Sequence, residues 1–316
     1  FDSPLQTRCD LAFEEIQGRF GASAADTARR NASHSSPNIR LNSLWLLHRL
    51  QVLDPEDVAR AIADDSALVR THAFRVLAEM ESTSVSAGKW LVAGLNDPDS
   101  LTRRAAAMAA TVHQSESLIG PLIQCFNNIP ASDVHLRHAV RMALRNYLRN
   151  DEWFSRLTQT ELSKADIQLL GSLCQSLRTE AAGELVAAHI DKLAGAESDQ
   201  LAEYMKFAVR YVSAETVAKL VATAMEQFRD DVEFQLVLLD AVRDGLLQRG
   251  IEPPDSVRAW AAGVAGHLLG VSGSGENTTE VMAPLSWASL PHPEGSDSVE
   301  TWAISRTRKS ADGMAA

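Results

Sequence analysis

At 316 residues and 45% hydrophobic content, the chain carries enough apolar side chains for one long domain or two ordinary ones. A net charge of −11 and a pI near 5.3 exclude the wrapping of nucleic acid as its main task, because phosphate binding needs a concentrated positive field. Three widely separated cysteines, Cys9, Cys125 and Cys174, exclude a disulfide framework or a Cys-x-x-Cys pair, and no apolar run reaches the roughly 18 residues of a membrane span.

From the first residues onward, one five-point apolar pattern recurs. Leu5, Cys9, Ala12, Phe13 and Ile16 follow offsets 0, 4, 7, 8 and 11, which place five side chains along one stripe of an α-helix. Ile39, Ser43, Leu46, Leu47 and Leu50 repeat the pattern, as do Val69, Ala73, Val76, Leu77 and Met80. Thr102, Ala106, Ala109, Ala110 and His113 follow, then Leu136, Val140, Ala143, Leu144 and Tyr147. The copies start 34, 30, 33 and 34 residues apart, the period of a solenoid of helical units. Because Leu5 already lies on the first stripe, the chain is expected to open inside a repeat of a longer protein.

Each patterned helix is expected to pair with a second one. Asp54-Pro55-Glu56 starts such a helix, to about Ala63, with acid and proline in the first turn. Trp90, Leu91 and Leu95 belong to the next, and Leu118, Leu122 and Phe126 to the one after. Turn formers separate the units: Ser35-Ser36-Pro37, Asp64-Asp65-Ser66 and Asn96-Asp97-Pro98-Asp99.

After Tyr147 the helical pattern continues with three further apolar faces. They are Ile167, Leu170, Gly171, Cys174 and Leu177; Leu201, Tyr204, Met205, Ala208 and Val212; and Phe234, Val237, Leu238, Ala241 and Val242. Gly250 and Pro253-Pro254 supply the turn inside the last pair, and the array is expected to end at residue 269. Residues 270–299 read as a flexible polar linker. In 300–316, Thr301-Trp302-Ala303-Ile304 reads as the opening of a strand in a truncated β-rich domain. The fold class is therefore all-α, a solenoid of stacked helix pairs with an irregular or β-starting tail.

Arginine follows the first stripe position in four copies, at Arg40, Arg70, Arg103 and Arg137, with Gln6 in the first. Two readings stand: a structural ladder to turn acids such as Asp65, Asp97 and Asp99 in adjacent units, or an anion-binding surface. Arg137, Arg141, Arg145 and Arg149 recur every four residues, so they line one side of a helix as a basic stripe in an acidic chain. Its partner is either internal, among acids such as Asp151 and Glu152, or an acidic patch on a flanking domain.

Catalytic signals are weak. His135 and His138 share a helical face but have no acid between them and no third ligand at matching spacing, so partial burial and capping are expected rather than a metal. Gly270 to Ser274 lacks the closing glycine of a nucleophile elbow, and no catalytic, cofactor-binding or metal residue is assigned. Trp45, Trp90, Trp153 and Trp260 read as packing residues.

The repeat of arginine and turn resembles HEAT repeats. The segments Arg40–Leu50, Asp133–Arg145 and Phe234–Gly250 resemble the central part of large exported bacterial membrane-bound dehydrogenases, also described as PVC-type haem-binding proteins. That resemblance implies a HEAT array between a sugar-dehydrogenase-like β-propeller and a C-terminal c-type haem domain, in a periplasmic or exported parent. The Cys-x-x-Cys-His haem motif does not occur here, so haem c would belong to another part of the parent. The function expected of this segment is a non-catalytic scaffold that spaces and docks flanking domains. A free-standing interaction scaffold and an α-helical enzyme are the alternatives.

Overall fold

The computed structural model describes residues 2–3, 6–80, 87–193 and 198–268. Residues 1–265 form one compact unit, and beyond it only the last residues of a helix ending at Leu268 are described. The expected linker and β-starting tail lie outside the described residues.

Among the described residues all regular structure is helical. The chain opens with α1 (Gln6–Arg19) and α2 (Ala25–Asn31) and then runs through helix pairs: α3 (Pro37–Arg49) with α4 (Pro55–Ile62), α5 (Ala67–Glu79) with α6 (Ala87–Leu95), and α7 (Ser100–Ala110) with α8 (Ile119–Asn127). Pairs α9 (Val134–Tyr147) with α10 (Asp151–Thr158) and α11 (Lys164–Leu177) with α12 (Glu180–Ala188) come next. A single turn, α13 (Ile190–Leu193), precedes α14 (Ser198–Tyr211) with α15 (Ala214–Gln227) and α16 (Val232–Arg249) with α17 (Asp255–Leu268).

Polar residues fix the helix starts by taking up orphan N–H groups. Asp54 accepts from Glu56 and Asp57 in a reciprocal capping box, and Asp99, Asp133 and Asp231 each accept from the third residue onward. Ser163 and Asp166 form a second capping box at α11. Gly250, with φ of +70°, closes α16 in the left-handed conformation that a side chain would resist.

The stripe positions are buried through α5, α7 and α9: Val69, Ala73, Val76 and Leu77, then Thr102, Ala106, Ala109, Ala110 and His113, then Leu136, Val140, Ala143, Leu144 and Tyr147. His113 Nε2 lies 2.7 Å from the Leu77 carbonyl, and the Tyr147 hydroxyl donates to the Ala110 carbonyl at 2.8 Å. Both link one unit to the unit before it. One continuous apolar cluster runs from Phe74 in α5 to Val264 in α17, which is the core of a stacked array. On α16 the face is turned from the expected one. Val237 is exposed, and Leu239, Gly245 and Leu246 are buried with Leu238 and Val242.

Three kinds of seam hold neighbouring units together. Between α5 and α7 the helices approach closely, and the buried hydroxyls of Thr71 and Thr102 meet across the seam at 2.9 Å. Between α9 and α11 the approach is looser, and long side chains bridge it: Arg141 donates to the Ser172 hydroxyl at 2.7 Å and Arg145 to the Ser176 hydroxyl at 3.2 Å. Beyond α11 the row of closest packing passes through α12, α14 and α16. There Gly245 faces α14 so tightly that a Cβ would stand 2.7 Å from the Lys206 carbonyl, and one on Gly183 would stand 2.9 Å from Tyr211 Cβ.

Candidate interaction surface

The arginine column is built from the turns between units. In each case the arginine sits four residues after the helix N-cap, so its guanidinium folds back over the turn it follows. Arg40 donates through Nη1 to the carbonyls of His34 (2.9 Å) and Ser35 (3.2 Å), and Arg70 to those of Asp64 (2.9 Å) and Asp65 (3.1 Å). Arg103 does the same to Asp97 (2.7 Å) and Pro98 (3.1 Å). Gln235 occupies the same place on α16, donating to the carbonyl of Arg229 at 3.3 Å, and its amide oxygen accepts from buried Trp260 at 2.8 Å.

The other edge of the guanidinium reaches forward to the next turn. Arg40 grips Asp64 through Nε (2.8 Å) and Nη2 (2.7 Å) and also meets Asp65 at 2.6 Å. Arg70 grips Asp97 through Nε (2.7 Å) and Nη2 (3.0 Å). Paired forks of this kind are the stronger ion pairs of proteins. Each acid also accepts from the cap of its own helix, Asp64 from the Ser66 amide at 2.8 Å and Asp97 from the Asp99 amide at 2.9 Å. Asp99 itself is a cap rather than a rung.

Proton affinities follow. Hydrogen bonds donated to Asp64 and Asp97 hold Arg40 and Arg70 more firmly protonated than a free guanidinium. Burial pushes the Asp64 carboxyl up, but the bonds from Arg40 and Ser66 outweigh it and leave it below the usual carboxylate value.

At Arg103 the forward rung is missing. The acid of each rung stands two residues before the helix cap: Asp64 before Ser66 and Asp97 before Asp99. Before the Asp133 cap of α9, that place is held by Ala131. Arg103 therefore has no carboxylate partner among the described residues, and the expected ladder is continuous only through Arg40 and Arg70. Arg137, next in the column, donates to the Ile129 carbonyl at 3.1 Å and lies over the Phe126 ring, 4.1 Å from its centroid.

The stripe along α9 divides in the same way. Arg137, Arg141 and Arg145 are partly buried on α9, whereas Arg149, expected on the same helix side, lies exposed in the turn after the helix ends at Tyr147. None of the four makes an ion pair among the described residues. Asp151 and Glu152 belong to the first turn of α10, and Glu152 pairs with Arg156 at 2.6 Å instead. Burial, then the neighbouring charge of Arg137, lowers the proton affinity of Arg141. His135 and His138 stand exposed at the start of α9 and cap nothing, because Asp133 already holds that role.

Residues 101–150 hold six arginines, no lysine and two acids, a local charge of +4 within a chain of −11. Both acids are engaged: Asp133 caps α9, and Glu116 pairs with Arg156 of α10 at 3.2 Å.

Among the described residues no three His, Cys, Asp or Glu side chains gather as a metal site would require. The three cysteines are buried and outside any disulfide, and burial pushes the Cys174 thiol up to about 12. No helix of the described residues is long and apolar enough to cross a membrane. No protein-family model matches the chain, and no curated protein matches it.

Proposed function

We propose that the helical array is a non-catalytic binding scaffold whose basic middle section, residues 101–150, docks an acidic surface of a protein domain. The observation that carries this reading is the charge reversal over residues 101–150, where six arginines stand against two acids that are already committed elsewhere. In the preceding units the corresponding arginines, Arg40 and Arg70, are neutralised internally. A stacked array supplies a long, stiff surface for such docking. The resemblance to the central part of exported dehydrogenase–cytochrome proteins makes flanking domains of the same parent the first candidate partners. The array would then space those domains in the periplasm, and the haem would sit outside it.

The test uses the neighbouring domains of the parent, expressed separately and titrated with the array at low and high salt. Arg104 and Arg149 are exposed and make no ion pair among the described residues, so Arg104→Gln with Arg149→Gln removes charge without removing a structural bond. Two exposed charges predict a loss of about fivefold in affinity at low salt, fading as salt rises. Equal affinity for wild type and double variant at low salt overturns the proposal.

A further inference from the structure

Arg103 is held as its predecessors are. Its Nη1 donates to the two carbonyls of its own turn at 2.7 and 3.1 Å, as that of Arg70 does at 2.9 and 3.1 Å. Guanidinium planes anchored alike present the same free edge. In Arg70 the Nε and Nη2 edge grips Asp97, whereas in Arg103 that edge has no acceptor among the described residues, because Ala131 stands where an aspartate would complete the rung.

The next turn also contributes a cation. Arg137 is fixed by the Phe126 ring at 4.1 Å and by the Ile129 carbonyl at 3.1 Å, which leaves most of its five N–H donors unused. Arg137 thus stands on Phe126 near the end of α8, and Arg103, anchored to its own turn as Arg70 is, turns its free edge toward the turn that follows α8, where Ala131 stands.

We propose that the turn from Ile129 to Asp133, flanked by Arg103 and Arg137, takes a carboxylate from an aspartate or glutamate side chain of a partner protein, which completes the rung that Ala131 leaves open. The inference rests on the docking surface proposed above and adds its point of recognition. A paired fork suits a planar carboxylate, and the aromatic face behind Arg137 keeps that guanidinium in place before the partner arrives. The same geometry at Arg40–Asp64 and Arg70–Asp97 shows what the occupied rung looks like within this chain.

The experiment supplies the missing group internally. Acetylated, amidated hexaglutamate is titrated calorimetrically into wild type, Ala131→Asp and Gln124→Glu. The last adds the same single negative charge at an exposed position of α8. Ala131→Asp is expected to raise the melting temperature and to weaken peptide binding about tenfold, since the rung is already filled. Gln124→Glu is expected to stay within about twofold of wild type, as general repulsion between exposed charges is small. Arg103→Gln provides an independent loss of binding that requires no new rung. Equal weakening by Ala131→Asp and Gln124→Glu, or none by either, sinks the carboxylate site. If Arg104→Gln with Arg149→Gln still weakens the peptide in that case, the basic surface stands without this point of recognition. Absence of saturable binding to wild type overturns both.

Discussion

Replacing Arg70 with methionine keeps the length and the apolar stem while removing every donor. Four bonds are lost: two to the Asp97 carboxylate and two to the carbonyls of Asp64 and Asp65. The Asp97 side chain is 9% exposed and that of Arg70 15%, so water restores little, and Asp97 keeps only its bond from the Asp99 amide. Breaking one partner out of a buried pair costs about 3–5 kcal/mol, and the amide bond that remains places this case near the lower end. Arg103→Met loses only the two carbonyl bonds, about 1–2 kcal/mol. The difference between the variants, about 2 kcal/mol, isolates the forward rung because their backward contacts match. Urea unfolding followed by circular dichroism measures it, with Asp97→Asn alone and combined with Arg70→Met closing a double-mutant cycle. Equal destabilisation by Arg70→Met and Arg103→Met would refute the claim that the turn acid, rather than the backbone of the turn, makes the rung strong.

Three further outcomes follow from the same structure. Gly245→Ala is expected to destabilise by about 1–3 kcal/mol, since its Cβ would press the Lys206 carbonyl of α14, while Gly120→Ala, in open space on α8, stabilises by up to about 1 kcal/mol; paired urea midpoints check both. Arg141→Gln with Arg145→Gln should lower the melting temperature, because the bonds to Ser172 and Ser176 bridge α9 and α11; an unchanged melting temperature would show that seam to be held by its apolar contacts alone. Asp64 and Asp166 both sit below the usual carboxylate value, so they stabilise the fold above the unfolded-state value of about 3.9 and lose that contribution as pH falls through their lower folded values. Urea midpoints should therefore hold steady at mildly acidic pH and drop below about pH 4, less steeply in Arg40→Met, and a midpoint that rises on acidification would contradict the assignment.

The repeat was legible because its cause is local. A stripe at 0, 4, 7, 8 and 11 buries one side of any α-helix, so Val69 to Leu77 and Leu136 to Tyr147 could be placed before any partner was known. The forward grip of Arg40 and Arg70 was legible in kind, since arginine at fixed phase beside turn acids suggests a rung. Which acid forms it depends on distance from the helix cap, and the cap at Ser66 or Asp99 is only visible once the turn has been folded. That is why Asp99 reads as a rung in sequence and is a cap in the structure. The seams were harder. Gly183 and Gly245 look like weak helix formers until α14 is set against them, and α13 interrupts the count of pairs without any signal at this period. Val237 fits the apolar face of α16 by spacing yet is exposed, because burial there follows the approach of α14 to Gly245 and not the stripe.

The basic section arises from two columns of unequal length. Aspartate stands two residues before the helix cap at Asp64 and Asp97 and gives way to Ala131, while arginine continues through Arg103 and Arg137. Stability alone would favour ending both columns together, since unpaired like charges on one helix disfavour each other, as Arg137 does Arg141. The residues opposite the stripe sharpen the point. Ser172 and Ser176 accept from Arg141 and Arg145 and pass their own hydroxyl protons to the carbonyls of Leu169 and Leu173 at 2.6 and 2.7 Å. A serine in this position satisfies a guanidinium donor without cancelling its charge, whereas an acid at the same place would have done both. The α9–α11 seam thus fixes two arginines in place and leaves their charge uncancelled. Uncancelled charge held in place is what the proposed docking of an acidic partner requires.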